Sequence, residues 1–188
     1  IALDGQLAEP HATLGLINEY MWNWTEAERE HKRAIELNPN YATAFQWYSD
    51  FLRGTGRFDE AAVMIKRAQE IDPLSSVIAR EVSIIYQIQG RHQASIDNSL
   101  RIIELDPKFS PAYQYLGLSY LKLGRNAEGI TALAKAVELS NRAGLQLGDL
   151  GYGYAVTGRR AEAVAIVKEL EEKYAKKEAN PQNIVAVY

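Results

Sequence analysis

His11, His31 and His92 are the first residues to test for metal or acid–base chemistry. No two of them stand at the i, i+4 spacing that turns both imidazoles of one helix face toward a metal, so they read as packing or surface residues. Gly148, Gly151, Gly153 and Gly158 suggest a phosphate loop, but the spacing is not GxGxxG and no strand precedes it. Carboxylate pairs such as Glu26 with Glu28, or Glu171 with Glu172, lie among Lys and Arg, where nothing supplies the pocket that general acid–base work requires. With no Cys there is no thiol nucleophile, thiolate metal site or disulfide. Asn23-Trp24-Thr25 has the form of a glycosylation sequon, which matters only in a secreted eukaryotic protein. The chemistry-bearing residues therefore predict no enzyme, no cofactor and no bound metal.

Composition points the same way. The chain has 188 residues, is 47% hydrophobic and 24% charged, and carries a net charge of −3. That apolar fraction excludes a disordered chain. The near balance of 21 basic and 24 acidic residues argues against a nucleic-acid or anionic-membrane surface. No apolar run approaches the ~18 residues of a membrane span, and the N-terminus lacks the basic-then-apolar pattern of a signal peptide. The expected compartment is the cytoplasm, with the periplasm as the alternative.

The elements follow from an internal period. Pro39, Pro73 and Pro107 stand 34 residues apart, each closing a similar phrase (Leu37-Asn38-Pro39, Ile71-Asp72-Pro73, Leu105-Asp106-Pro107). Gly56-Arg57, Gly90-Arg91, Gly124-Arg125 and Gly158-Arg159 recur at the same interval, as do Tyr86, Tyr120, Tyr154 and Tyr188. Within one unit, Tyr113, Leu116, Gly117 and Tyr120 fall at i, i+3, i+4, i+7, and Ile130, Leu133, Ala134 and Val137 form a second helical stripe. Pro111 suits a first helical turn, and Gly124 a left-handed C-terminal cap. The short Gly-Arg turn makes the two helices antiparallel neighbours. Small residues recur where such helices would meet: Gly15, Ser49, Ser83, Gly117 and Gly151 in the first helices, Ala27, Ala61, Ser95, Gly129 and Ala163 in the second. The predicted fold is all-α, a right-handed α-solenoid of antiparallel helix pairs.

A helix-turn-helix unit of this length with these aromatic, Leu-Gly, Tyr, Ala and Pro positions resembles the tetratricopeptide repeat (TPR) family. The fourth unit carries the pattern most fully in Tyr113, Leu116-Gly117, Tyr120, Gly129 and Leu133. The fifth follows with Leu147, Leu150-Gly151, Tyr154, Ala163 and Val167, and the second with Phe45, Tyr48-Ser49, Leu52, Ala61, Ile65 and Pro73. The first and third depart from it, with His11 and Ala79 at the first aromatic position and His31 and Ser99 at the later one. The fourth and fifth lack the closing Pro, having Asn141 and Ala175. The resemblance implies a superhelix whose inner wall, built from the first helices, receives an extended peptide or a partner helix. Carried onto this sequence, the groove residues are Ala12, Leu16 and Glu19; Gln46, Trp47, Asp50 and Arg53; Arg80, Ile84 and Gln87; Gln114, Tyr115 and Leu118; and Asp149 and Tyr152. The Lys/Asn/Arg clamp of chaperone-binding members is absent, since Ala12, Leu16, Trp47, Val77 and Glu81 stand in its places. Trp47, Tyr115 and Tyr152 are the expected anchors.

The expected organisation is one array over 1–188. Five repeats span 8–41, 42–75, 76–109, 110–143 and 144–177, with 1–7 the tail of a preceding unit and 178–188 the start of a truncated sixth. Leu3-Asp4-Gly5 matches the closing phrase of a unit, so the chain reads as a piece of a longer protein. The turn Trp22-Asn23-Trp24 and the entry Asn180-Pro181 resemble arrays in bacterial multidomain regulators. The predicted function is a non-enzymatic scaffold binding a protein or peptide partner, with no nucleic acid and no membrane insertion. Two alternatives stand beside it. One is a structural or oligomerisation spacer, self-associating through its repeat ends. The other is a ligand-sensing array attached to a kinase, cyclase or winged-helix domain, with the glycine-containing helix of the fifth unit approached by the ligand.

Overall fold

The computed structural model describes residues 6–187; Leu3-Asp4-Gly5 and Tyr188, used above, lie outside them. Among the described residues there are eleven helices and no strand: α1 (Ala8–Tyr20), α2 (Trp24–Leu37), α3 (Ala42–Gly54), α4 (Phe58–Ile71), α5 (Ser76–Ile88), α6 (His92–Leu105), α7 (Ser110–Lys122), α8 (Asn126–Leu139), α9 (Gly144–Val156), α10 (Arg160–Ala175) and α11 (Pro181–Val185). They form two compact units, Ile1–Ile88 and Gln89–Tyr188. In the first, α1 packs on α2 and α3 on α4, with α5 against α4. In the second, α7 packs on α8 and α9 on α10, with α6 against α7 and the short α11 against α9 and α10.

The turns inside the pairs are set by backbone geometry. Gly56, Gly90, Gly124 and Gly158 all adopt positive φ, from 70° to 80°, a region that a side chain with a Cβ resists. The Arg57 N–H then donates to the Leu52 carbonyl at 2.8 Å, and Arg125 and Arg159 donate to Tyr120 and Tyr154 at 2.9 Å, closing each helix as a Schellman motif. In the first pair the same place is held by Trp22, at φ 62° and with its ring largely exposed. Where the closing Pro is missing, left-handed non-glycine residues end the second helix instead: Asn141 and Arg142 after α8, Lys177 after α10.

Small residues mark the close approaches as their spacing predicts. A Cβ on Gly117 would lie 2.6 Å from Leu133 Cγ and 2.9 Å from the Gly129 carbonyl oxygen, and one on Gly129 would meet Leu121. Ser49 sits at the equivalent contact in the first unit and donates to the Ala61 carbonyl at 2.9 Å. The core of that unit gathers Phe45, Tyr48, Phe51, Leu52, Ile65, Ile78, Val82 and Ile85. That of the second gathers Leu133, Val137, Leu147, Leu150, Ile166, Val167 and Leu170. A polar hub closes one edge of the first: Glu28 accepts from Lys32 at 2.8 Å, from Arg57 at 2.9 Å and from the Tyr48 hydroxyl at 2.9 Å. These donors, Lys32 foremost, hold its carboxyl down at about 2.

Two of the three histidines pair with carboxylates within the first unit. His31, fully buried between α1 and α2, pairs through Nε2 with Glu19 at 2.6 Å, and His11 meets Glu30 through Nδ1 at 2.5 Å.

Candidate interaction surface

The first helices α1, α3, α5, α7 and α9 each present one face carrying the expected groove residues, and most of those residues are half-buried. Ala12 is a correction. It is fully buried against Ala34 and Ala44, because a methyl group at this position lets α1 come down onto α2 and α3, and it offers no surface to a partner. Glu19 is directed to His31 rather than left free on the wall. Leu16, Gln46, Ile84, Gln87 and Tyr115 are half-buried on their faces. Trp47 is half-buried too, with one side packed on the Ala12–Ala34–Ala44 cluster. Leu118 packs against the second unit's core.

Two polar constellations stand out, one in each unit. In the first, Asp50 and Arg53 pair at 3.1 Å along α3, Arg53 lies 3.7 Å from Glu81 of α5, and Arg80 also pairs with Glu81. Glu81 is buried, and burial is the larger cause that pushes its carboxyl up to about 7; the neighbouring Asp50 carboxylate adds to it and the two arginines oppose it. In the second unit, Gln114 of α7 donates to Asp149 of α9 at 2.6 Å, and Gln146 donates to Gln114 at 3.2 Å. Burial raises the Asp149 carboxyl to about 6, and only the Gln114 amide works against it. One turn along α9, Tyr152 has its hydroxyl 3.4 Å from Lys122 Nζ.

Glu81, Gln146 and Lys122 belong to these groups but not to the predicted set. A signal for Glu81 was present in the period: Trp47, Glu81, Tyr115 and Asp149 occupy one repeat position at intervals of 34, aromatic alternating with acid. Gln146 and Lys122 have no such mark, since their roles come from partners on another helix.

The glycines of α9 prove to be packing residues. A Cβ on Gly148 would lie 2.8 Å from the Asn183 carbonyl oxygen, and one on Gly153 would sit 3.0 Å from Ile130 and Leu133. The chain itself occupies the space that a bound ligand was expected to use.

A tetratricopeptide-repeat family model matches residues 99–131, the stretch that contains α7. Solved structures agree along nearly the whole chain. MamA is 25% identical over 91% of this chain and 95% of its own, with a TM-score of 0.69. PilW, a widely conserved type IV pilus biogenesis factor, is 17% identical over 98% and 84%, with a TM-score of 0.80. YrrB, a TPR protein with an unusual peptide-binding site, is 16% identical over 88% and 85%, with a TM-score of 0.64. The chain has the tetratricopeptide-repeat fold. No curated protein matches its sequence.

The first helices of this fold turn one face away from the packed pairs. Here that face combines aromatic rings, amides and partly desolvated carboxylates, and no described helix is long and apolar enough to cross a membrane. Large rings at the centre of such a surface supply contact area at low conformational cost, and buried polar groups select what can lie against them.

Proposed function

We propose that this chain is a non-enzymatic scaffold that binds an extended segment of a protein partner along its first-helix faces. The observation that carries the reading is one repeat position that supplies an aromatic and an acid in each unit, Trp47 with Glu81 in the first and Tyr115 with Asp149 in the second. This is the pairing of contact area with selectivity that a peptide site uses. YrrB, a TPR protein with an unusual peptide-binding site, has the same fold, and this supports the reading.

The test is an array of immobilised random decapeptides probed with the fluorescently labelled chain. Binding of a defined subset is expected, and Trp47→Ala or Tyr115→Ala should each weaken it at least about tenfold, as loss of a central aromatic anchor does. Circular dichroism checks that both variants stay folded. If both folded variants bind the array as the parent does, the first-helix faces are not the binding surface.

A further inference from the structure

Asp149 and Glu81 occupy the same repeat position two periods apart, and the chain treats them differently. At Glu81 the chain brings its own cations: Arg53 and Arg80 both reach the carboxylate. At Asp149 no described cation does so, and its one hydrogen-bond donor is the neutral amide of Gln114. That amide is itself held by Gln146, so the acceptor geometry is fixed from behind. Lys122 reaches the Tyr152 hydroxyl at 3.4 Å, with its ammonium 5.9 Å from the ring centroid, and is not among the groups paired with Asp149. Tyr152 follows Asp149 by three residues on α9, a spacing that places the two residues on the same side of the helix.

A half-buried carboxylate held by one amide, with a tyrosine on the same side of its helix and no described counter-ion, is complementary to a cationic side chain. A guanidinium or ammonium would pair with the acid and lie along the ring. The first unit shows such an arrangement completed from within, with guanidinium groups on Glu81.

We infer that Asp149, with Gln114 and Tyr152, is a specificity pocket for a Lys or Arg side chain of the partner peptide. The inference rests on the peptide-binding reading above and deepens it by naming the partner's charge at one position. It requires that peptides bound by this chain carry a cation in a fixed place. Asp149 supplies the charge, Gln114 orients it, and Tyr152 lines the side.

The same decapeptide array separates the two ideas. Bound peptides should be enriched in Lys or Arg at one position. The best-binding His-free peptide is then synthesised with that residue and with its neutral counterpart, citrulline for Arg or norleucine for Lys. Loss of the charge should weaken binding to the parent chain about tenfold and to Asp149→Asn less than twofold, the double-mutant signature of a direct pair. Raising the acidity from about pH 7.5 to about pH 5 should weaken the charged peptide about tenfold for the parent, as most of the carboxylate protonates, and leave Asp149→Asn nearly unchanged. Lys122, which bonds the Tyr152 hydroxyl, is the described cation beside that ring. Peptides bound without a Lys or Arg preference, or an equal charge effect in both proteins, overturn the pocket while leaving the scaffold reading intact. An array that binds nothing overturns the scaffold reading itself, and the pocket with it.

Discussion

Replacing Asp149 by Asn should make the protein more stable at neutral pH. The carboxyl is held at about 6 against an ordinary 3.8, with burial as the cause. A raised carboxyl leaves stability intact below its unfolded value and removes it as the pH climbs through the folded one, so the ionised group is a cost at pH 7. Converting the rise from 3.8 to about 6 gives a ceiling of about 3 kcal/mol near pH 7.5 and about 1 kcal/mol near pH 4.5. Asn keeps an acceptor for Gln114 and removes the charge; relaxation and water around a half-buried group reduce the expected gain to about 1–2 kcal/mol. Urea unfolding followed by circular dichroism at both pH values measures it, and the gain should shrink by roughly two thirds at the lower one. A loss of stability at both values, or a gain indifferent to pH, would refute the claim that a desolvated charge is what this position costs. A more stable variant that binds its peptide less well would separate the fold's interest from the surface's.

Glu28→Gln should act in the opposite sense. A carboxyl depressed to about 2 stabilises the fold above its usual range and loses that contribution as the pH falls toward 2. The variant should lose about 1–2 kcal/mol at pH 7 and show a flatter decline below about pH 4.5 in the same urea assay. Gly117→Ala should cost about 1–3 kcal/mol, since its Cβ meets Leu133 and the Gly129 backbone. Gly54→Ala, whose Cβ meets nothing within 4 Å, should be neutral or gain up to about 1 kcal/mol. Thermal melts that ranked the two alike would undo the packing argument. Trp22→Gly should shift stability by less than about 1 kcal/mol. Relief of a left-handed backbone, about 1–2 kcal/mol, is offset by loss of the edge-to-face contact with Trp24, about 0.5–1.5 kcal/mol. A large drop in melting temperature would show that the ring is a structural prop.

The period made the helix pairs legible because its markers act locally. A glycine at positive φ and the Schellman bond behind it need nothing beyond five or six neighbouring residues, so Gly124 could be read as a cap from sequence. The close approach at Gly117 was legible for a related reason, since the apposed Gly129 and Leu133 belong to the same unit. What escaped depends on partners from other elements. Ala12 reads as a groove residue by register, yet its fate was decided by Ala34 and Ala44 on two further helices. The raised carboxyl of Asp149 comes from its burial, opposed only by the amide of Gln114 on α7, 35 residues away. Gly148 looked open because α11, which covers it, is only five residues long and leaves a faint trace in the sequence.

All three tryptophans fall in the first compact unit: Trp22 and Trp24 at the α1–α2 turn, Trp47 on α3. The second unit has tyrosines but no indole. Selectively excited indole emission is therefore a built-in reporter of one half of the molecule, while far-ultraviolet dichroism registers helices in both. Coincident melts by the two signals mean that the halves unfold as one cooperative body. Separated midpoints would show each half to be an independent thermodynamic unit, with no label attached to either.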